Sequence, residues 1–319
     1  MPILGLHHVT ATVDEAQPDL DFCLDALGLR LVKKTVNFDN HHVYHFYYGD
    51  ERGTPGTIWT TFPYANRNVK VGTKGAGQVV ATAFSVPTGS LDEWRIRLSA
   101  KGIAVNDLPP RFGEPAIGFS DLSGLMFEMI ANDRDGREPW SAVDEDIAIR
   151  GLHSVTLLVR DPAKTIDLMS SLLDWAVVDE TAGRIRVEVN GGGPGRWIDV
   201  AHDPNAETAV NGLGTVHHVA MAIGSEGRGD GAPEAEDAQL QLREALNAYG
   251  SKVTEVRDRC YFKSIYFREP GNVLFEVATT SPGFTADEDL RSLGVGLKLP
   301  PWEEQHRADI ESALVPIRY

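Results

Sequence analysis

The sequence predicts an α+β protein of four βαβββ modules that form two barrel-like domains. Three observations carry this. The length is about twice that of an ordinary domain, an opening-strand pattern returns four times, and three β-rich segments follow each helical stretch. At 319 residues the chain fits two cores of about 150 residues each. The opening strands are HHVTATV (7–13), VATAFSV (80–86), HSVTLLV (153–159) and HHVAMAI (217–223). Their ends fall at 13, 86, 159 and 223, a spacing of 73, 73 and 64 residues.

A helical pattern follows each opening strand: EAQPDLDFCLDALG, SLDEWRIRLSAKG, DPAKTIDLMSSLLDW and AEDAQLQLREALNAYG. The first two end on Gly28 and Gly102, as helix C-termini often do. Strands rich in β-branched and aromatic residues complete each module, such as SKVTEVR, YFKSIYFRE and NVLFEVA in the fourth. The division expected along the chain is 1–140 for modules one and two, 150–280 for modules three and four, and 281–319 for an extension. In that extension WEEQHRADIESAL reads as a short amphipathic helix. GGGPG at 191–195 reads as a hairpin turn. GSEGRGDGAPEAED at 224–237 lacks the GK[ST] ending of a phosphate cradle and reads as a flexible acidic insertion.

Composition removes several classes of function. With 42% hydrophobic residues, mean hydropathy of -0.21 and no apolar run near the ~20 residues of a membrane span, no membrane role is expected. The opening MPILGLHHVTATV reads as a strand rather than a secretory leader, so the expected compartment is the cytoplasm. Acidic residues outnumber basic ones 46 to 30, for a formal charge of -16, which makes nucleic acid a poor partner. Cys23 and Cys260 form no CxxC pair and read as packing residues in a reducing compartment. The sequence leaves a homo-oligomer open.

Aligning the repeats locates the chemistry. Side chains alternate along a strand, so His7 and His8 face opposite ways. His7 shares its face with Val9, Ala11 and Val13, which should pack on the module's helix, and His8 is left on the concave side. In the fourth module the small residues Ala220 and Ala222 flank His218 on its face and leave room for a ligand. The first column of equivalent positions reads His8, Ala81, Ser154, His218. The second, from the last strands, reads Thr60 or Thr61, Glu128, Asp199, Glu276. If modules one and four share a cup, it holds His8, His218 and Glu276, and the other cup holds acids without histidine. Two imidazoles and one carboxylate leave three positions open on an octahedral ion, which suits Fe(II) or Mn(II) binding substrate and dioxygen together. His153 falls in the register of His7 and reads as structural. His41, His42 and His45 read as surface or packing residues.

At these residues the chain resembles the vicinal oxygen chelate superfamily, and within it the hydroquinone-type ring-cleaving dioxygenases. The resemblance covers nearly the whole chain: LHHVT (6–10), YHFYYGDERGTPGT (44–57), TVHHVAMA (215–222), YFKSIYFREPGNVLFE (261–276) and GFTADEDLRSLG (283–294). It implies an Fe(II) enzyme, with Mn(II) as the alternative ion, that opens a 1,4-dihydroxylated aromatic ring with both atoms of O2. It carries the metal ligands over to His8, His218 and Glu276. It also implies catalytic roles for Tyr266 and Arg259 and substrate contacts for Thr10, His7 and His217, although strand alternation turns His7 and His217 away from the cup. A glyoxalase-type isomerase or lyase would need a fourth protein ligand, ideally a second Glu, where Thr60 or Thr61 stands. A non-catalytic small-molecule binding protein would not need the complete trio.

Overall fold

The structure is a computed structural model that describes residues 3–65, 68–139, 143–181, 183–224 and 232–319. The first module runs β1 (Ile3–Val13), α1 (Ala16–Asp21, prolonged by one π-type turn to Ala26), β2 (Arg30–Asn37), β3 (Asn40–Gly49) and β4 (Ile58–Pro63). The second runs β5 (Gln78–Val86), α2 (Leu91–Ala100), β6 (Val105–Arg111), β7 (Glu114–Ser120) and β8 (Met126–Ala131). The third runs β9 (Gly151–Val159), α3 (Ala163–Leu172), β10 (Ala176–Thr181), β11 (Arg184–Glu188) and β12 (Trp197–His202). The fourth runs β13 (Thr215–Ile223), α4 (Ala232–Tyr249), β14 (Arg257–Asp258), β15 (Lys263–Arg268) and β16 (Leu274–Thr279).

All four modules therefore repeat βαβββ, and they pair in a nested way. One curled eight-stranded sheet has the order β14-β15-β16-β13-β1-β4-β3-β2, joining the fourth module to the first. The other has the order β10-β11-β12-β9-β5-β8-β7-β6, joining the third to the second. Each sheet thus draws on both halves of the chain, and its centre is an antiparallel pair of opening strands, β1 with β13 or β5 with β9.

The apolar face read along β1 from Val9 to Val13 is buried as expected. Val9, Ala11 and Val13 are fully buried in one apolar cluster with Leu20, Cys23 and Leu27, where removal from water stabilises by about 25 cal/mol per Å² of apolar surface. Gly28 closes the first helical segment at a φ of +72°, and a Cβ there would meet Val143 Cγ1 at 2.6 Å. The two sheets are stitched where β1 begins: Leu6 N–H donates to Gly195 O at 2.7 Å, and a Cβ on Gly5 would lie 2.6 Å from that oxygen. The GGGPG turn is therefore also a seam.

Helix α4 starts at Ala232, three residues before the stretch expected from sequence, and residues 225–231 of the acidic insertion lie outside the described residues. The extension wraps over β2. Lys33, fully buried, donates to Asp287 Oδ1 at 2.6 Å, to the carbonyl of Phe284 at 3.1 Å and to Glu288. GFTADEDLRSLG is thus a clamp on a buried ammonium, which must be paired to be tolerated. A 3-10 turn (Glu304–His306) then leads into α5 (Arg307–Ala313), whose Ile310 is buried, in line with the amphipathic reading. No described helix is long and apolar enough to cross a membrane.

Candidate metal centre

Register alone brings three donors together around one alanine. In the β1–β13 pair His8 stands opposite Ala220, and in the parallel β13–β16 pair Ala220 stands beside Glu276. His218 is two residues before Ala220, so it shares that face. The result is His8 Nε2 at 3.2 Å from His218 Nε2 and at 3.3 Å from Glu276 Oε2, with His218 Nε2 at 2.8 Å from the same oxygen. All three side chains are buried and could together hold a metal ion.

The donor chemistry fits a cation. Three atoms bound at right angles to an ion, each about 2.1 Å away, would lie on the order of 3 Å apart, as these do. Glu276 Oε2 lies close to both imidazole nitrogens, but with their Nε2 lone pairs turned to the centre it accepts no hydrogen bond, although a buried carboxylate oxygen demands a partner. The other oxygen, Oε1, accepts from Ser264 Oγ. Burial opposes the Glu276 charge, but His8 and His218 beside it more than offset this and hold the carboxyl well below its usual range. Burial also lowers His218, against the pull of Glu276.

Behind the donors stand the preceding histidines. His7 Nδ1 lies 2.9 Å from His8 Nδ1, and His217 Nδ1 lies 2.7 Å from His218 Nδ1. Burial drives His7 and His217 down to about 3, with the neighbouring His8 and His218 rings contributing, so both are neutral at pH 7. Ligation of an ion through His8 Nε2 requires the His8 proton to sit on Nδ1, within reach of His7 Nδ1. In that tautomer His8 Nδ1–H donates to His7 Nδ1, and His8 Nε2 is left as the free lone pair. The simple alternation argument turned His7 away from the cup. A register shift between Leu6 and His8 breaks strict alternation and brings the two rings within hydrogen-bond reach.

Arg259 and Tyr266 line the same cleft as the three donors, together with Asn37, Phe38, His45, Tyr47 and Phe262. Arg259 Nε donates to the Tyr266 hydroxyl at 3.0 Å, and burial with the nearby Glu276 charge raises the Tyr266 phenol. Thr10 is buried beside this site and accepts from Thr60 Oγ1 at 2.9 Å. The cleft holds only about 30 Å³, roughly one water. Asn37 and Phe38 of the β2–β3 turn line it, and the next residue, Asp39, pairs with Arg257 at 3.1 Å and Arg259 at 3.3 Å. A larger cavity of about 590 Å³ lies along Leu4–Leu6 and the Gly192–Gly195 turn, but among the described residues the cluster of metal donors is the one at the small cleft, which is the candidate site.

Both columns read from the sequence hold. The register β1–β4 sets Thr10 opposite Thr60, as β13–β16 sets Ala220 opposite Glu276, which makes Thr60 rather than Thr61 the counterpart of Glu276. In the other sheet Ala83 meets Glu128 and Thr156 meets Asp199. His153 lies in that second sheet, with Nε2 3.2 Å from Glu114 and Nδ1 3.0 Å from Ser154 Oγ, away from the three donors. His41 is paired with Glu303 at 2.9 Å. His45, by contrast, is buried and packs on Tyr47 and Phe62 while lining the cleft, so it is turned inward where His41 is not. The signal was available: in NHHVYHFYYGD it shares a face with Tyr47, one column over from Thr60.

Comparison with known proteins places the chain. Residues 151–277 match the family described as Glyoxalase/Bleomycin resistance protein/Dioxygenase superfamily. MhqO of Bacillus subtilis (strain 168), assigned by name to the ring-cleaving dioxygenases, is 40% identical over 98% of this chain and 96% of its own. The chlorohydroquinone/hydroquinone 1,2-dioxygenase of Sphingobium indicum is 35% identical over 93% of this chain and 91% of its own. A crystal structure of a Bacillus subtilis protein described as a dioxygenase superposes with a TM-score of 0.91 at 38% identity, covering 99% of this chain and 98% of that one. Maize glyoxalase I shares the fold, with a TM-score of 0.62 at 14% identity over 87% of this chain and 92% of that one. With its modules, its cup and these relatives in accord, the chain belongs to the glyoxalase/bleomycin resistance protein/dioxygenase superfamily, among its ring-cleaving dioxygenases.

Proposed function

We propose that this protein uses Fe(II), with Mn(II) as the alternative ion, held by His8, His218 and Glu276 to open a 1,4-dihydroxylated aromatic ring with O2. The observation that carries this reading is the convergence of two imidazole nitrogens and an unpartnered carboxylate oxygen from opposite ends of the chain. The hydroquinone substrate of the Sphingobium relative supports the 1,4-diol class. A glyoxalase-type reaction is disfavoured because Thr60 stands where a second carboxylate ligand would be needed.

When bound, an ion with three open positions would acidify a coordinated phenol and hold it beside dioxygen. The chain supplies the rest. With an ion at the two Nε2 atoms, the protons of His8 and His218 sit on Nδ1, where His7 and His217 stand as acceptors that hold both lone pairs toward the centre and make them more basic. Ser264 fixes the Glu276 carboxylate through Oε1. Arg259 brings positive charge to the cleft, where a phenolate would be stabilised. Its Nε–H engages the Tyr266 oxygen, which frees the Tyr266 O–H to donate a proton to an oxygen atom of the substrate. Thr10, tied to Thr60, braces the wall next to His8.

The test is anaerobic reconstitution with Fe(II), followed by oxygen uptake with a panel of hydroquinones and catechols. Uptake with hydroquinones at one O2 per ring opened is expected. Uptake with catechols alone would reject the 1,4-diol assignment, and uptake with no diol would reject the dioxygenase mechanism at this centre.

A further inference from the structure

The near-twofold relation between modules one and four assigns every residue of one half-cup a counterpart in the other. Tyr266 pairs with Glu276 across β15–β16, and Tyr47 pairs with Thr60 across β3–β4. Two residues earlier on the outer strand stand Ser264 and His45. Each bonds its column neighbour: Ser264 Oγ reaches Glu276 Oε1, and His45 Nε2 lies 2.9 Å from Thr60 Oγ1. On the fourth-module side that contact fixes a donor of the centre. On the first-module side the threonine is short and already gives its hydroxyl proton to Thr10, and the larger imidazole of His45 lies against it.

This fixes the tautomer of His45. With Thr60 donating to Thr10, the Thr60 oxygen can only accept from His45, so Nε2 carries the proton and Nδ1 is a bare acceptor. Nδ1 has no hydrogen-bond partner among the described residues, and the ring lines the cleft with His8 and His218. Burial, with the neighbouring His8, His218 and Arg259 adding to it, keeps the ring neutral. Other polar groups on the wall are committed: Asn37 to Tyr64 and to the Asp39 amide, and Arg259 to Tyr266 and Asp39. The Tyr47 hydroxyl is the competing free group, with its ring centroid 4.0 Å from that of His45.

A 1,2-diol can place both oxygens on one ion. A 1,4-diol cannot, and its second hydroxyl lies a ring's width from the first. We propose that His45 Nδ1 accepts the hydrogen bond of this second hydroxyl, which makes His45 the residue that positions a 1,4-diol and favours it over a ring with one hydroxyl. The inference rests on the dioxygenase reading given above and names how that site recognises its substrate.

The test is anaerobic isothermal titration of the Fe(II)-loaded full chain with hydroquinone and with phenol, alongside iron content. In the unaltered protein hydroquinone should bind about tenfold more tightly than phenol, the worth of one good buried hydrogen bond. His45→Phe should erase that ratio by weakening hydroquinone alone, with iron content unchanged. His45→Gln, whose amide can reach Thr60 and still offer an acceptor, should restore part of it and serves as the test if the Phe variant fails to fold. A ratio unchanged in both variants, or one erased by Tyr47→Phe instead, would overturn the proposal. Failure of the unaltered, iron-loaded protein to bind hydroquinone would overturn the dioxygenase reading itself, and the two failures are thereby told apart.

Discussion

Glu276 and Asp199 occupy the same place in their modules, one strand over from Ala220 and Thr156, yet their neighbours differ in kind. Beside Asp199, Arg186 forms a two-pronged pair at 2.7 and 3.0 Å, and beside Glu128, Arg111 does the same at 2.9 and 2.6 Å. Tyr266 takes the place of Arg186, and Ser264 the place of Arg184. The comparison teaches how one fold can make a binding cup or a sealed one. A buried carboxylate needs positive charge. In the second cup arginines supply it permanently, and in the first two imidazoles and a hydroxyl leave one carboxylate oxygen without a hydrogen bond, so an exchangeable cation can fill the role.

The largest effects should come from stripping the first cup of its donors. Glu276→Ala, His8→Ala and His218→Ala should each abolish metal retention and ring-opening activity, whereas Asp199→Ala should leave bound metal unchanged, as read by elemental analysis. Ala220→Leu should empty the centre just as fully without touching a donor, because Ala220 is the small residue that all three surround. Metal content is again the readout, and full retention would contradict the register argument.

Breaking the second cup should instead cost stability. Arg186→Met leaves Asp199 buried beside a single, longer contact to Arg184 at 3.4 Å, so urea unfolding should show a loss of about 3 kcal/mol with metal content unaltered. Smaller still is the effect of Ser264→Ala, which frees Glu276 Oε1 and should weaken metal affinity by about 10- to 100-fold.

The smallest prediction concerns pH. Burial would raise Glu114, but His153 and Arg186 beside it hold the carboxyl down to about 2, from an ordinary 4.5. For a carboxyl depressed in the folded state, the stability it contributes is complete above about 4.5 and is lost as the pH falls toward 2. Glu114→Gln should therefore be less stable than the unaltered protein at pH 7, and the gap should close across that acid range.

Much of this contrast was legible in the sequence because strand parity and a repeat spacing are periodic signals. His8, His218 and Glu276 emerged from columns that the register later matched residue for residue. What stayed hidden depended on departures from periodicity or on distant partners. The register shift between Leu6 and His8 brings His7 to the back of His8, which regular alternation forbids. His45 looked like one histidine among three, since only the pairing of β3 with β4 reveals it as the counterpart of Ser264. The clamp of Asp287 and Glu288 on Lys33 joins residues about 250 positions apart, a contact that no local pattern announces.

The account stands on one ion being shared by strands from the two ends of the chain. Anomalous diffraction at the iron edge, from crystals loaded with Fe(II) without oxygen, tests that directly. A single peak bonded to His8 Nε2, His218 Nε2 and Glu276 Oε2 is the expected result. A peak beside Glu128 or Asp199, or density in the first cup that touches only one of the three donors, would contradict it.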